Sequence, residues 1–147
     1  MALIEIRLPR QGDGRPCAEL AALVVGPDRA GPLVKAHLEQ HHLIVAEADD
    51  EVVGLCAYRT DWFQCTFVTL VVVQEKYRRR GIAREMMRSV EAVSPTPRVF
   101  SSVDETNGPA IRLHGALGFA PSGHIDNLPQ GTSELLFYRR VPPRRIS

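Results

Sequence analysis

The sequence predicts a mixed α/β domain in which a sheet of six to seven strands is flanked by about four helices. Three observations predict it. Segments of alternating or continuous apolar character are interleaved with segments of helical period. Glycine, proline and paired aspartates punctuate them. The longest apolar strand, Val68–Val73, runs into a basic turn with a glycine, Arg78-Arg-Arg-Gly81, and a helix of small residues begins there.

The elements follow in order. Ala2 to Leu8 alternates apolar and charged residues, as a first strand does. Pro9 to Arg15 is a polar, glycine-containing loop. Pro16 to Val25 is a short helix stopped by Gly26, and a second helix follows Pro32 with Leu33, Val34, Ala36 and Leu38. Leu43 to Glu47 and Val52 to Tyr58 form a hairpin around Asp49-Asp50. Residues 59–65 read as a loop that holds Trp62. Thr66 to Val73 reads as a strand buried on both faces, because its apolar run is nearly unbroken. A helix runs from Gly81 to about Val93, with Ile82, Met86, Met87, Val90 and Val93 on or near one face. Ser94-Pro-Thr-Pro97 ends it. Arg98 to Val103 is a strand, a short helix follows Asn107, and Phe119 to Ile125 and Glu134 to Arg140 are the last strands. The order is β–α–α–β–β–β–α–β–α–β–β, with no repeat. Residues 1–147 read as one domain with a frayed tail at 142–147.

Composition narrows the function. The chain has 147 residues, 44% hydrophobic and 24% charged, in the range of globular domains. Its net charge of +1 gives no global signal for nucleic acid or an acidic partner. No apolar run approaches the roughly 18 residues of a membrane helix, and the N-terminus lacks a signal-peptide core. Cys17, Cys56 and Cys65 are odd in number and lack C-x-x-C spacing, which reads as reduced thiols in a cytoplasmic protein. His41-His42 lacks spaced partners for a metal. Arg139, Arg140, Arg144 and Arg145 read as a solvated basic terminus rather than a nucleic-acid contact.

The strand–turn–helix at residues 71–84 has the layout of a phosphate cradle. N–H groups at a helix N-terminus are unpaired and partly positive, so they bind anions. Gly81 allows close backbone approach, and Arg78, Arg79 and Arg80 bring charge and forked donors. A solvated basic turn that opens a helix is the alternative. A Walker A loop is excluded, since no Gly-Lys-Ser/Thr follows. A dinucleotide fingerprint has three glycines, and only one is present.

A second motif lies downstream at residues 107–119, Asn-Gly-Pro-Ala-Ile-Arg-Leu-His-Gly-Ala-Leu-Gly-Phe. Asn107 is a good N-cap and Pro109 is acceptable in the first turn. Ala110, Leu113 and Leu117 form an apolar stripe, Gly118 is a stop, and Phe119 can fold back on the last turn.

These two strings resemble the signatures of the GNAT family of N-acetyltransferases. Arg78-x-x-Gly81-x-Ala83 resembles the R/Q-x-x-G-x-G/A segment that wraps the pyrophosphate of acetyl-CoA. Residues 107–119 resemble the N-x-x-A-x-x-L-Y-x-x-x-G-F segment. The element order matches the family over essentially the whole chain. The resemblance implies a splayed, mostly antiparallel sheet, open between the strand ending at Val73 and the strand ending at Val103. It implies acetyl-CoA as acetyl donor and no metal. Backbone groups of Val71, Val72 and Val73 would meet pantetheine, Arg78, Arg79, Arg80, Gly81, Ile82, Ala83 and Arg84 the pyrophosphate, and Asn107 the pantetheine region. His114 stands where the family has a tyrosine near the thioester sulfur. The acceptor would be a small-molecule or peptide amine, with no nucleic acid or membrane partner, and a homodimer stays open.

Two departures bear on the chemistry. Near neutral pH a tyrosine is fully protonated, whereas an ordinary histidine is only about one-tenth protonated. His114 is therefore a tuned acid, a donor through its neutral N–H, or a spectator. The positions where relatives carry a glutamate base read Thr69 and Ser102. Asp104, Glu105, Glu75 and His124 are near in sequence without matched spacing, and water relayed by Thr69 or Ser102 is the simpler route. A lysine amine costs roughly 4 kcal/mol to neutralise near neutral pH, and an α-amine under about 1 kcal/mol. The expected acceptor is therefore a low-pKa amine: an amino acid, a peptide N-terminus or an amino-sugar-like molecule. Histidine at position 114 is also similar to the phosphinothricin-type subgroup, which acetylates α-amines. Trp62-Phe63 and Leu128-Pro129-Gln130-Gly131 match neighbourhoods that border the acceptor pocket, or are ordinary loop packing. The competing reading is an acyl-CoA-binding module with little turnover. A nucleic-acid binder using Arg78–Arg80 is disfavoured by the charge.

Overall fold

The structure, a computed structural model, describes residues 3–142. Ala2, most of the expected frayed tail, and Arg144 and Arg145 lie outside the described residues.

The strands are β1 (Ile4–Arg7), β2 (Leu43–Ala48), β3 (Glu51–Trp62), β4 (Cys65–Val73), β5 (Arg98–Asp104), β6 (Ala120–Ile125) and β7 (Glu134–Arg140). The helices are α1 (Gly14–Val25), α2 (Pro27–Glu39), α3 (Ile82–Val93) and α4 (Gly108–Ala116). The element order is the expected one. The strands form a seven-stranded sheet in the order β1-β2-β3-β4-β5-β7-β6. The β1/β2, β2/β3, β5/β7 and β6/β7 pairs are antiparallel. The β4/β5 pair is parallel and joins Thr66–Val68 to Val99–Ser101.

The described residues form two compact units, one of residues 3–59 together with Thr69–Val93, the other of Thr60–Val68 and residues 94–142. In the first, Cys17, Leu20 and Ala21 of α1 and Ala30 and Val34 of α2 pack with Leu43, Val45, Val52, Leu55, Ala57, Leu70 and Val72 of the strands. This is the hydrophobic term that pins both helices to the sheet. Packing is close at Gly54: a side chain there would meet Met86 Cε and the Val72 carbonyl at 3.2 Å and Ala46 Cβ at 3.4 Å. Arg7 ties α1 to the sheet edge, donating to Asp13 at 2.7 and 3.2 Å and to Glu47 at 2.7 and 3.0 Å. Burial pushes the Asp13 carboxyl up, but the bonds from Arg7 and the Arg10 N–H outweigh it and hold the group below the usual range.

In the second unit Trp62 stacks on Phe67 at 4.8 Å between ring centres and also meets Phe100, which meets Tyr138. Buried Thr66 and Ser94 satisfy one another, with 2.7 Å between their hydroxyls, and Ser94 donates on to the Thr96 carbonyl.

Four expectations are corrected. Trp62 lies on β3, not in a loop. Its stacking on Phe67 carries the strands to a two-residue turn, Phe63-Gln64, whose φ values of 48° and 62° are left-handed without the glycine or asparagine that usually marks such a turn. The second helix begins at Pro27, and Pro32 lies inside it. Asp28 and Pro32 are both exposed, so water can satisfy the Asp28 carbonyl that loses its donor. Strand β4 alternates, with Thr66, Val68, Leu70 and Val72 buried and Thr69 exposed, so it is not buried on both faces. Val93 is 44% exposed at the end of α3, one position beyond the buried stripe Ile82, Met86, Met87 and Val90. Among the described residues no helix is long and apolar enough to cross a membrane.

The contact at Gly54 has a measurable consequence. Gly54→Ala drives a methyl against the Val72 backbone and should cost about 1–3 kcal/mol, read as a lower midpoint in denaturant unfolding. An unchanged midpoint would show that Met86 and the strand yield freely.

Candidate active site

The cradle belongs to the first unit. Strand β4 ends at Val73, a single 3-10 turn spans Glu75–Tyr77, and α3 begins at Ile82. Tyr77 anchors the turn: it is buried, and its hydroxyl donates to Asp49 at 2.6 Å. That bond, with burial added, raises the phenol above its ordinary range. The Arg78 Nε donates to the Val73 carbonyl at 3.0 Å, locking the strand end to the turn. Arg79 takes a left-handed conformation (φ 65°) and is exposed. Arg80 stacks over the Tyr77 ring at 5.3 Å. The three arginines thus differ: one braces the turn, one stacks on its anchor, and one projects freely.

Gly81 has φ 78° and accepts the first bond of α3, from the Glu85 N–H at 3.0 Å. The N–H groups of Gly81, Ile82, Ala83 and Arg84 have no helical partner. A Cβ at Gly81 would have nothing within 4 Å, so the space beside Gly81 itself is open. Val71 is half-buried, and Val72 and Val73 are buried. Among the described residues, the Val73 carbonyl already serves Arg78 while the cradle donors face no protein acceptor. The residues fit an anionic diphosphate.

Thr69, in the same unit, carries a partner that sequence reasoning missed. Its hydroxyl lies 3.0 Å from Nε2 of His37 on α2, whose Nδ1 lies 2.8 Å from the Leu33 carbonyl. No motif marks His37; only the packing of α2 brings it to β4.

In the second unit Asn107 caps α4 as expected, accepting from the Ala110 N–H at 3.2 Å. The stripe Ala110, Leu113 and Leu117 is only half-buried, and the buried side chain of α4 is His114. It is 4% exposed and packed against Phe119 and Phe137 at 5.3 and 5.0 Å. Its Nδ1 is 2.8 Å from the Ala110 carbonyl, which can only accept, so the proton is on Nδ1. Nε2 then accepts from the buried Ser101 hydroxyl at 2.8 Å. Burial pushes the imidazole below its ordinary value, against the opposing pull of the Ala110 bond. The ring is neutral. Gly118 (φ 85°) turns the chain after α4, and Arg139 fills the space a side chain there would need, donating to the Leu117 carbonyl at 2.8 Å.

The neighbouring carboxylates are engaged. Asp104 accepts from Thr106 and Thr132, whose bonds hold it below the usual range. Glu105 accepts from the Ser133 N–H. His124 pairs with Asp126 at 3.4 Å. Ser102 donates to Glu134 at 2.7 Å, a carboxylate that position 102 itself lacks. Phe63 is 83% exposed beside Trp62, and Gly131 closes a turn on Leu128. His42 packs on Tyr58 at 4.8 Å. Among the described residues no three metal-ligating side chains are grouped. Cys17 and Cys56 are buried and free, and burial pushes both thiols up to about 12.

Residues 28–119 match the model of the Acetyltransferase (GNAT) family, and the chain belongs to that family. It is 32% identical over 92 residues to the SPbeta prophage-derived uncharacterized N-acetyltransferase YokL of Bacillus subtilis, a match taking in 59% of this chain and 52% of that protein. It is also 32% identical over 100 residues to an N-alpha-acetyltransferase of Sulfurisphaera tokodaii, taking in 56% of this chain and 60% of that protein. The matches thus span little more than half the length of these curated relatives. The crystal structure of a GNAT-family acetyltransferase from Bacillus cereus superposes with a TM-score of 0.88 at 28% identity, covering 96% of this chain and 99% of that one.

The state of His114 predicts a pH dependence. Its folded value lies below the 6.5 of a free imidazole. As pH falls below about 6.5 the unfolded ring takes a proton that the folded ring resists, so stability drops. Unfolding of His114→Gln should lose that part of the acid slope. Parallel pH profiles for wild type and variant would show that His114 does not titrate this way.

Proposed function

We propose that the protein is an N-acetyltransferase that moves the acetyl group of acetyl-CoA to a primary amine by direct attack. The observation that carries the reading is the turn at Gly81, where open space beside the glycine adjoins the N-terminus of α3 and the Arg78–Arg80 cluster. The cosubstrate supplies an activated acyl carbon and a thiolate leaving group. The chain supplies orientation, the larger part of such catalysis. Backbone groups of Val71–Val73 align the pantetheine, the Arg78–Arg84 segment holds the pyrophosphate, and Asn107 meets the pantetheine arm.

For His114 we propose a place at the thioester as a neutral group held by Ala110 and Ser101, not as a store of protons. Its Nδ1 proton is committed to a carbonyl and burial disfavours a second one. The acceptor proposed is an α-amine, in an amino acid or at a peptide N-terminus, because the neutral amine costs least there. The name of the Sulfurisphaera tokodaii relative supports this choice. The three free thiols support a cytoplasmic setting.

Calorimetry with acetyl-CoA tests the reading. Wild type should bind, and Gly81→Glu should bind at least ~100-fold more weakly, since the new carboxylate fills the cradle and repels phosphate. α-Amines should then be acetylated faster than lysine side chains in matched peptides. Absence of wild-type binding would sink the assignment. Binding without transfer to any amine would favour an acyl-CoA-binding module. His114→Phe, made with Ser101→Ala so that no buried hydroxyl is stranded, should lower kcat at least ~10-fold with acetyl-CoA affinity retained. An unchanged kcat would reduce His114 to a packing residue.

A further inference from the structure

We propose that His37, acting through the Thr69 hydroxyl, is the proton acceptor for the attacking amine. The inference rests on the acetyltransferase reading and supplies the base that the strand itself lacks.

The geometry is directional. The Leu33 carbonyl can only accept, so the ring nitrogen 2.8 Å from it, Nδ1, carries the proton of the neutral ring. That leaves Nε2 with a bare lone pair, aimed at Thr69 Oγ1 at 3.0 Å. The hydroxyl must therefore donate to Nε2, and its own lone pairs face outward. Thr69 is the one exposed position on β4, and His37 is only half-buried, so an acceptor can reach the pair. An exposed threonine needs no partner for stability, because water would serve it.

The step balances as follows. The amine nitrogen forms a bond to the acetyl carbon and the carbon–sulfur bond breaks, its electron pair leaving on sulfur. An N–H proton passes to Thr69 Oγ1 as the hydroxyl proton passes to His37 Nε2. The imidazolium, still bound to the Leu33 carbonyl, then releases a proton to water.

Ser102–Glu134 is the rival relay, with the hydroxyl donating to a carboxylate at 2.7 Å. We favour His37 because the Glu134 carboxylate also receives Gln130, whereas His37 Nε2 has Thr69 as its partner, and imidazole is the side chain most often used for this work.

The experiment compares His37→Ala, Thr69→Val, Glu134→Gln and wild type with acetyl-CoA and a panel of L-amino acids and short peptides with free N-termini. His37→Ala should keep its acetyl-CoA affinity, lose ~10²-fold in kcat, and recover part of it when imidazole is added, a response that lost packing would not give. Thr69→Val should lose a similar factor without rescue, and Glu134→Gln should remain near wild type. Full activity in His37→Ala, loss without imidazole rescue, or loss confined to Glu134→Gln would overturn the proposal while leaving the acetyltransferase reading intact. A wild type that acetylates nothing would overturn both.

Discussion

Helix α3 can bring its N-terminus to the end of β4 because β3 carries no side chain at residue 54. Met86 on α3 and the Val72 carbonyl both close to within 3.2 Å of where a Cβ would be. The helix reaches the strand here through the tip of the Met86 side chain, which takes the space a side chain at residue 54 would need. Its first turn follows the turn after Val73, and the Arg78 bond to the Val73 carbonyl holds that turn to the strand end. Anion binding at a helix terminus depends on a fixed direction. Here the direction is set some thirty residues upstream in sequence, by a glycine whose role is space rather than conformational freedom.

The imidazoles of His37 and His114 follow one construction. His37 and His114 each give Nδ1–H to the carbonyl four residues earlier on their own helix and accept at Nε2 from a strand hydroxyl, Thr69 or Ser101. The helix fixes the tautomer and the strand takes the remaining valence. Environment separates them. His114 is enclosed by Phe119 and Phe137, and burial there disfavours its charged form; His37 is half-open to water. Identical hydrogen bonding thus sits in one case inside an enclosed pocket and in the other beside solvent.

What was legible in the sequence was what local chemistry encodes. The basic turn with Gly81, the Asn107 cap and the Gly118 stop each satisfy a local backbone requirement, and all appear where their residue types indicated. The strand and helix order was legible because period and punctuation agree. The failures are tertiary. Trp62 extends a strand by stacking on Phe67, a partner the window around it does not reveal. Pro32 survives inside α2 because that side of the helix meets water. His37 and Glu134 reach Thr69 and Ser102 across 32 residues each, a distance at which spacing carries no information. Features set by local backbone shape could be read; contacts made by tertiary packing could not.

The burial of the cysteines has a consequence for how an acyl group moves. Thioesters exchange with thiolates, and a protein that grips one presents its own thiols as competing acceptors. With Cys17 and Cys56 both pushed up to about 12, those two sulfurs are thiols rather than thiolates at any physiological pH. Neither can intercept the acetyl group as an acyl-enzyme, and neither can be capped by free coenzyme A as a mixed disulfide. The same core that holds α1 and β3 in place thus keeps these two nucleophiles out of the reaction.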